Sequence, residues 1–227
     1  MCQFKSAICL KDRVYVPDHD HHDDMLSELG IDDDYLHASK TFVRVELSPT
    51  DGDKTSDVMG WKLKVDQDIT PDWWDESVGA QRIKDAVKEW CDKHILREGT
   101  HVVKEGIWYA YDSATVNAYG SATVYAYDSA TVYAYGSATV YAYDSATVKA
   151  YGSATVNAYD SATVFAYDSA TVYAYGSATV YASGSATVIL PKIFQTRKPV
   201  QLSGSAICIN HLTHKISRPF SWEVETV

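Results

Sequence analysis

The sequence predicts an α+β N-terminal domain followed by a flattened two-sheet β-solenoid (a β-helix) with about 16 residues per coil and a C-terminal cap. Three observations carry this reading. Residues 110–189 are ten uninterrupted copies of one eight-residue unit, Ala-Tyr-(Asp/Gly)-Ser-Ala-Thr-Val-x, the tenth reading Ala182-Ser183-Gly184 at its start, and short fixed periods mark solenoids. The unit is rich in Thr, Val and Tyr and carries a recurrent Gly or Asp, which suits strand and corner rather than helix. Residues 1–99 lack the repeat and alternate between period-two and helical spacing.

Taken in order, Gln3–Leu10 and Arg13–Val16 alternate as a hairpin across Lys11-Asp12. Asp23–Leu29 reads as a short helix stopped by Gly30. Thr41–Leu47 and Trp61–Val65 have the alternation of half-buried strands. Pro71 opens a Trp73-Trp74 segment, and Val78–Ile95 carries the spacing of an amphipathic helix that ends before Gly99. Trp61, Trp73, Trp74 and Trp90 are candidates for this domain's core.

Within the repeat, six residues (Ala-Thr-Val-x-Ala-Tyr) read as strand and two (Asp-Ser or Gly-Ser) as a corner. The x position holds Asn117, Tyr125, Tyr133, Tyr141, Lys149, Asn157, Phe165, Tyr173, Tyr181 and Ile189. Lys and Asn are costly in a dry core, so x points outward, and Thr and Tyr share its face by alternation. Ala, Val and Ala then fill a thin interior. Two octads close one coil, which matches the way Asp112, Asp128, Asp144 and Asp160 alternate with Gly120, Gly136 and Gly152. Five coils give a rod roughly 24 Å long. The Asp edge must have its carboxylates solvated at their own turns, bound to corner amides, or holding a cation, and the first of these is the simplest expectation.

Solenoid ends need caps. Gly106–Tyr109 is expected to be the lead-in strand, with the N-terminal domain closing that end. Residues 201–210 echo the octad and are expected to form an eleventh strand, with the basic tail covering the other end. The domains expected are 1–105, 106–189 and 190–227.

The net charge of −10 is distributed as −9 over residues 1–109, −4 over 110–189 and +3 over 190–227. An acidic body disfavours direct nucleic-acid binding, which needs clustered Lys and Arg. No run approaches eighteen apolar residues, and the N-terminus lacks the pattern of a secretory signal, so the expected location is the cytoplasm, with no membrane association. Cys2, Cys9, Cys91 and Cys208 are widely spaced, forming no CxxC pair, and read as reduced thiols rather than a disulfide framework.

Two features could carry chemistry. Removal of Met1 would leave Cys2 with a free α-amine, the arrangement of N-terminal nucleophiles. Class II glutamine amidotransferases and abasic-site-binding SRAP proteins also begin Met-Cys, although Gln3 stands where both usually have Gly. Otherwise Cys2 is a small apolar residue of the first strand. The segment Asp18-His19-Asp20-His21-His22-Asp23-Asp24 has residue types that suit a metal, but its polarity fits a solvated turn leading into a helix better. No metal or cofactor is therefore assigned. An enzyme would use Cys2 as nucleophile and His19, His21 or His22 as base.

The opening Met1–Ile8, the His/Asp turn, Phe42–Leu47 and Pro71–Trp74 followed by octads resemble small proteins of bacterial phages and prophages with an MCxF-type N-terminal domain. That resemblance implies a bacterial host cell as the setting, and it implies no catalytic residues. The Tyr-Gly-Ser-Ala-Thr-Val units alone are similar to ice-nucleation repeats, but the Thr-x-Thr signature is missing. The composition itself favours binding over catalysis, because Tyr is enriched at interfaces. The expected binding surface comprises Tyr125, Tyr133, Tyr141, Phe165, Tyr173 and Tyr181, serving homodimerisation through one solenoid face or capture of a host protein. Inhibition of a host defence system is the role the phage resemblance suggests for such capture.

Overall fold

The computed structural model describes residues 5–53, 55–191, 200–213, 215–219 and 225–226. The chain divides into two compact units, residues 1–93 and 94–227.

In the first unit, β1 (Lys5–Leu10) and β2 (Val14–Tyr15) form the expected hairpin, closed by the Leu10 amide donating to the Arg13 carbonyl at 2.8 Å. The helix α1 (His22–Glu28) follows and stops at Gly30, whose φ is +66°. A one-turn helix, α2 (Tyr35–Ala38), had no periodic signal. It is set by Asp34, whose carboxylate accepts the His37 amide as an N-cap. The strands β3 (Phe42–Ser48) and β4 (Lys62–Val65) complete an antiparallel sheet of order β2-β1-β3-β4. Ile8, Leu10 and Phe42 on one sheet face pack with Met25 and Leu26 of α1. Alternation puts Ala7, Cys9, Val43, Val45 and Leu47 on the other face, all fully buried. The helix α3 (Glu76–His94) is tied to β1 by Arg82, which donates to the Leu10 and Lys11 carbonyls at 3.2 Å.

In the second unit, parallel pairing begins earlier than Gly106. The strands β5 (Ile95–Leu96), β6 (Thr100–Val103) and β7 (Ile107–Ala110) already belong to the solenoid, since β5 pairs β7 and β6 pairs β8 (Thr115–Ala118). Residues 95–105 are thus solenoid despite lacking the octad consensus. Val103 fills the buried position that Ala118 takes one coil later, so burial is preserved where the motif is not. Each of the ten octads then supplies one four-residue strand, continuing with β9 (Thr123–Ala126) and recurring every eight residues to β17 (Thr187–Leu190). The strands are four residues long rather than six because the Ala amide ahead of each strand is taken up in a turn. The Ala114 amide donates to the Tyr111 carbonyl, and Ala122 to Tyr119, both at 3.1 Å.

Successive strands alternate between two parallel sheets, and partners lie sixteen residues apart, as with Thr131 opposite Thr115 and Thr147. Among the described residues one sheet has seven strands and the other ten. Ala114, Val116 and Ala118 and their equivalents point inward and form one continuous core. The coil after Thr187 is longer, because Thr187 pairs with Ile207. Residues 200–210 form two strands, not one. The strand β18 (Val200–Leu202) joins the seven-stranded sheet and β19 (Ile207–Asn210) the ten-stranded one, with a Ser203–Ala206 corner between them. The strand β20 (Lys215–Ser217), from the basic tail, then pairs antiparallel with β19, and β21 (Glu225–Thr226) pairs with β20.

The corners explain the Asp-Ser and Gly-Ser dipeptides. The residue after each Tyr is left-handed, with φ of 50–54° at the five aspartates, a conformation that Gly and, among the others, Asp and Asn adopt most readily. The following Ser locks one coil to the previous one. The Ser153 amide and its Oγ both donate to the Gly136 carbonyl at 3.0 Å, and Ser129 Oγ donates to the Asp112 carbonyl at 2.9 Å. Two of the aspartate side chains, Asp144 and Asp168, reach back to the previous coil as well. Asp168 Oδ2 accepts the Gly152 amide at 3.0 Å, and Asp144 Oδ2 accepts the Asp128 amide at 3.4 Å.

Candidate functional site

The His/Asp turn and the aromatic faces are the two places the sequence singles out. At the turn, Lys5 is the organising residue. Its side chain is only 6% exposed, and its ammonium donates to the Pro17 carbonyl at 2.6 Å, the His19 carbonyl at 3.1 Å and Asp20 Oδ1 at 2.8 Å. It also lies 4.4 Å above the Trp90 ring, a cation–π contact that a desolvated ammonium favours. The Ser6 amide and hydroxyl bind Asp20 as well, at 3.0 Å each. The acidic run therefore clamps the loop onto β1.

The three histidines do not converge. His19 Nε2 sits 3.3 Å from the Glu28 carboxylate, whose other contact is the Tyr15 hydroxyl at 2.6 Å. These two hydrogen bonds hold the Glu28 carboxyl below the usual carboxylate range, and the same bond from Tyr15 pushes its phenol up to about 12. His22 is held at both nitrogens, Nε2 by the Val45 carbonyl at 3.1 Å and Nδ1 by Asp66 at 3.4 Å. His21 occupies the N-cap of α1 without a side-chain capping bond. Cys2 lies outside the described residues. Among the described residues the one trio of convergent ligand atoms is elsewhere, at Asp32, Asp34 and His37, on an exposed loop and helix end. The three described cysteines, Cys9, Cys91 and Cys208, are buried thiols, and burial pushes Cys208 up to about 11.

The aromatic residues named for the binding surface are divided between the two flat faces, so no single face carries all six. Because octads alternate between sheets, Tyr125, Tyr141 and Tyr173 project from the ten-stranded sheet and Tyr133, Phe165 and Tyr181 from the seven-stranded one. The structure brings together Tyr125 with Tyr141, stacked at 4.8 Å, and Phe165 with Tyr181, at 5.0 Å. It separates these two groups onto opposite faces. Lys149 stands between Tyr133 and Phe165 in its column and lies 5.1 Å over the Tyr133 ring.

The longest ladders are made by the corner tyrosines, which the expected surface omitted. Tyr111, Tyr127, Tyr143, Tyr159 and Tyr175 stack in one continuous column at 4.7–5.0 Å, with ring planes within 13° of parallel. Tyr119, Tyr135, Tyr151 and Tyr167 form a second column at 4.8–5.1 Å. The first runs beside the Tyr109, Tyr125 and Tyr141 column, so the ten-stranded face carries nine tyrosines. The signal for both columns was the second octad residue, Tyr in nine of the ten copies, which alternation places outward with x. Packing of ring on ring is severe enough to shift titration. Burial first, and neighbouring phenols second, push Tyr143 up to about 12 and raise Tyr125, Tyr127 and Tyr159 as well.

Among the described residues no helix is long and apolar enough to cross a membrane. The chain matches no protein-family model, no curated protein and no solved structure.

Proposed function

We propose that this protein is a binding scaffold of the phage-accessory kind, whose working surface is the nine-tyrosine face of the ten-stranded sheet and whose first partner is a second copy of itself. The observation that supports this is the pair of adjacent, stacked tyrosine columns on one flat face. Stacking removes rotamer freedom before any partner arrives, so ordering these side chains on binding costs little. Tyrosine also offers apolar area with a hydroxyl at its tip, the composition of recognition surfaces.

The area sets the strength. Five rungs at about 4.8 Å, with about 17 Å of strand and corner across each, give roughly 400 Å² per copy and about 800 Å² on pairing. Standard stable interfaces bury about 1,200–2,000 Å². Self-pairing through this face is therefore weak and concentration-dependent, which leaves the face available to a host macromolecule, including a component of a defence system.

Sedimentation equilibrium across a concentration series tests this. The wild-type chain is expected to shift toward dimer with concentration. Tyr141→Lys, in the middle of the face, should abolish the shift, while Tyr133→Lys on the other face and Cys2→Ala should preserve it. A chain that stays monomeric throughout, or a dimer indifferent to Tyr141→Lys, would overturn the self-pairing.

A further inference from the structure

The second corner column stops one ring short. Tyr119, Tyr135, Tyr151 and Tyr167 stack rung on rung, and the sixteen-residue register calls for a fifth ring at position 183, where the sequence has Ser183. The next rung, after a longer coil, has Ser203, whose amide donates to the Ala182 carbonyl at 2.8 Å. The ladder's spacing thus continues through two rungs whose outward side chains are only hydroxymethyl groups. The consequence is a groove of about 330 Å³ on the seven-stranded side, lined by Phe165, Tyr167, Tyr181, Ser183, Gln201 and Ser203 among others. Ala182, next to Ser183 in the chain, has 3% exposure, whereas its counterparts Ala118, Ala134, Ala150 and Ala166 have none.

We infer that this groove is a binding site for one small planar aromatic molecule carrying a hydrogen-bonding substituent, the phenol class. The ring would take the rung that Ser183 vacates and stack on Tyr167 at the ladder's own spacing. The stacked Phe165–Tyr181 pair, 5.0 Å apart, forms the side wall. Ser183, Ser203 and Gln201 supply the hydroxyls and amide that a polar substituent requires, and such a small set of polar groups in an aromatic-lined pocket is what fixes orientation in ligand sites. The size is right: a cavity of about 150 Å³ holds benzene, so this open groove accommodates one substituted ring. The site is on the face opposite the nine tyrosines and does not depend on self-pairing.

The test is an amide-resolved NMR titration of the full chain with p-cresol. Shifts are expected at Ser183, Gln201 and Ser203 and not at the Tyr119 end of the column. The saturated analogue 4-methylcyclohexanol should bind at least about fivefold more weakly, because it cannot stack. Ser183→Tyr fills the rung from within and should weaken p-cresol by about tenfold or more. Should that variant fold poorly, Tyr167→Leu removes the platform and should have the same effect. Equal binding of the saturated analogue, or undiminished binding in these variants, would overturn the site. Binding of N-acetyl-tyrosinamide much tighter than that of p-cresol would replace the small-molecule ligand with a peptide side chain, and no saturable shift at all would also refute the proposal.

Discussion

Replacing Gly120 and, separately, Gly136 with alanine provides a matched pair, since both glycines are left-handed corners of the same edge with φ of +57° and +63°. A Cβ at Gly136 would meet nothing closer than the Gly120 nitrogen at 3.9 Å, an ordinary contact. A Cβ at Gly120 would stand 2.7 Å from the Lys104 carbonyl oxygen. That oxygen cannot simply retreat, because it accepts the Ser121 amide at 3.1 Å. Gly136→Ala therefore bears the left-handed penalty alone, about 1–2 kcal/mol. Gly120→Ala adds overpacking against backbone, about 1–3 kcal/mol more. Urea unfolding followed by far-UV circular dichroism is the assay, comparing midpoints because arrays of repeats need not unfold in two states. Gly120→Ala should show the larger midpoint loss. Equal midpoints, or a larger loss in Gly136→Ala, would refute the stacking of coil 104 under coil 120.

Lys5→Met should destabilise the first unit by about 2–4 kcal/mol, because it strands the Pro17 and His19 carbonyls and leaves the Asp20 carboxylate with the Ser6 amide alone. Hydrogen exchange should rise at residues 17–21, and unchanged protection there would show that Lys5 is not the clamp. The tyrosine ladders predict an alkaline transition. A phenol raised by burial contributes stability that is complete below its unfolded pKa of about 10 and is lost as pH rises through the folded value. For Tyr143 that value is about 12. Phenolate absorbance should therefore lag in part of the tyrosines and appear together with loss of β-sheet dichroism between these limits. Complete titration near pH 10 with the dichroism intact would count against tightly packed ladders.

The solenoid was legible because one octad repeats the same physical instruction ten times. Lys149 and Asn157 at x fix the outward face, and alternation then fixes the inward Ala, Val and Ala. The extra coil at residues 95–110 was hidden because it satisfies the same burial with different residues, Val103 and Leu96, and burial rather than consensus is what stacking requires. The aromatic faces were only half legible. The period placed tyrosines outside, but dividing them between two sheets needed the parity of the octads to be followed through Tyr133 and Tyr141. The His/Asp turn was the least legible. Its residue types suggest chemistry, whereas its use is decided by Lys5, a lysine inside β1 whose burial no local pattern announces.

Octad parity also constrains how the gene encoding this protein can change length. Repetitive tracts gain and lose units by replication slippage. Adding two octads inserts one coil and lengthens every ladder by a rung of about 4.8 Å without disturbing its neighbours. Adding one octad is a different event. Each downstream strand would move to the opposite sheet, so the column that ends in Tyr175 and the column that ends at Ser183 would exchange sides from that point on. Natural length variants of this chain are therefore expected to differ by even numbers of octads, since an odd change would deliver β18 to the sheet that now holds β19, and β19 with its antiparallel partner β20 to the other.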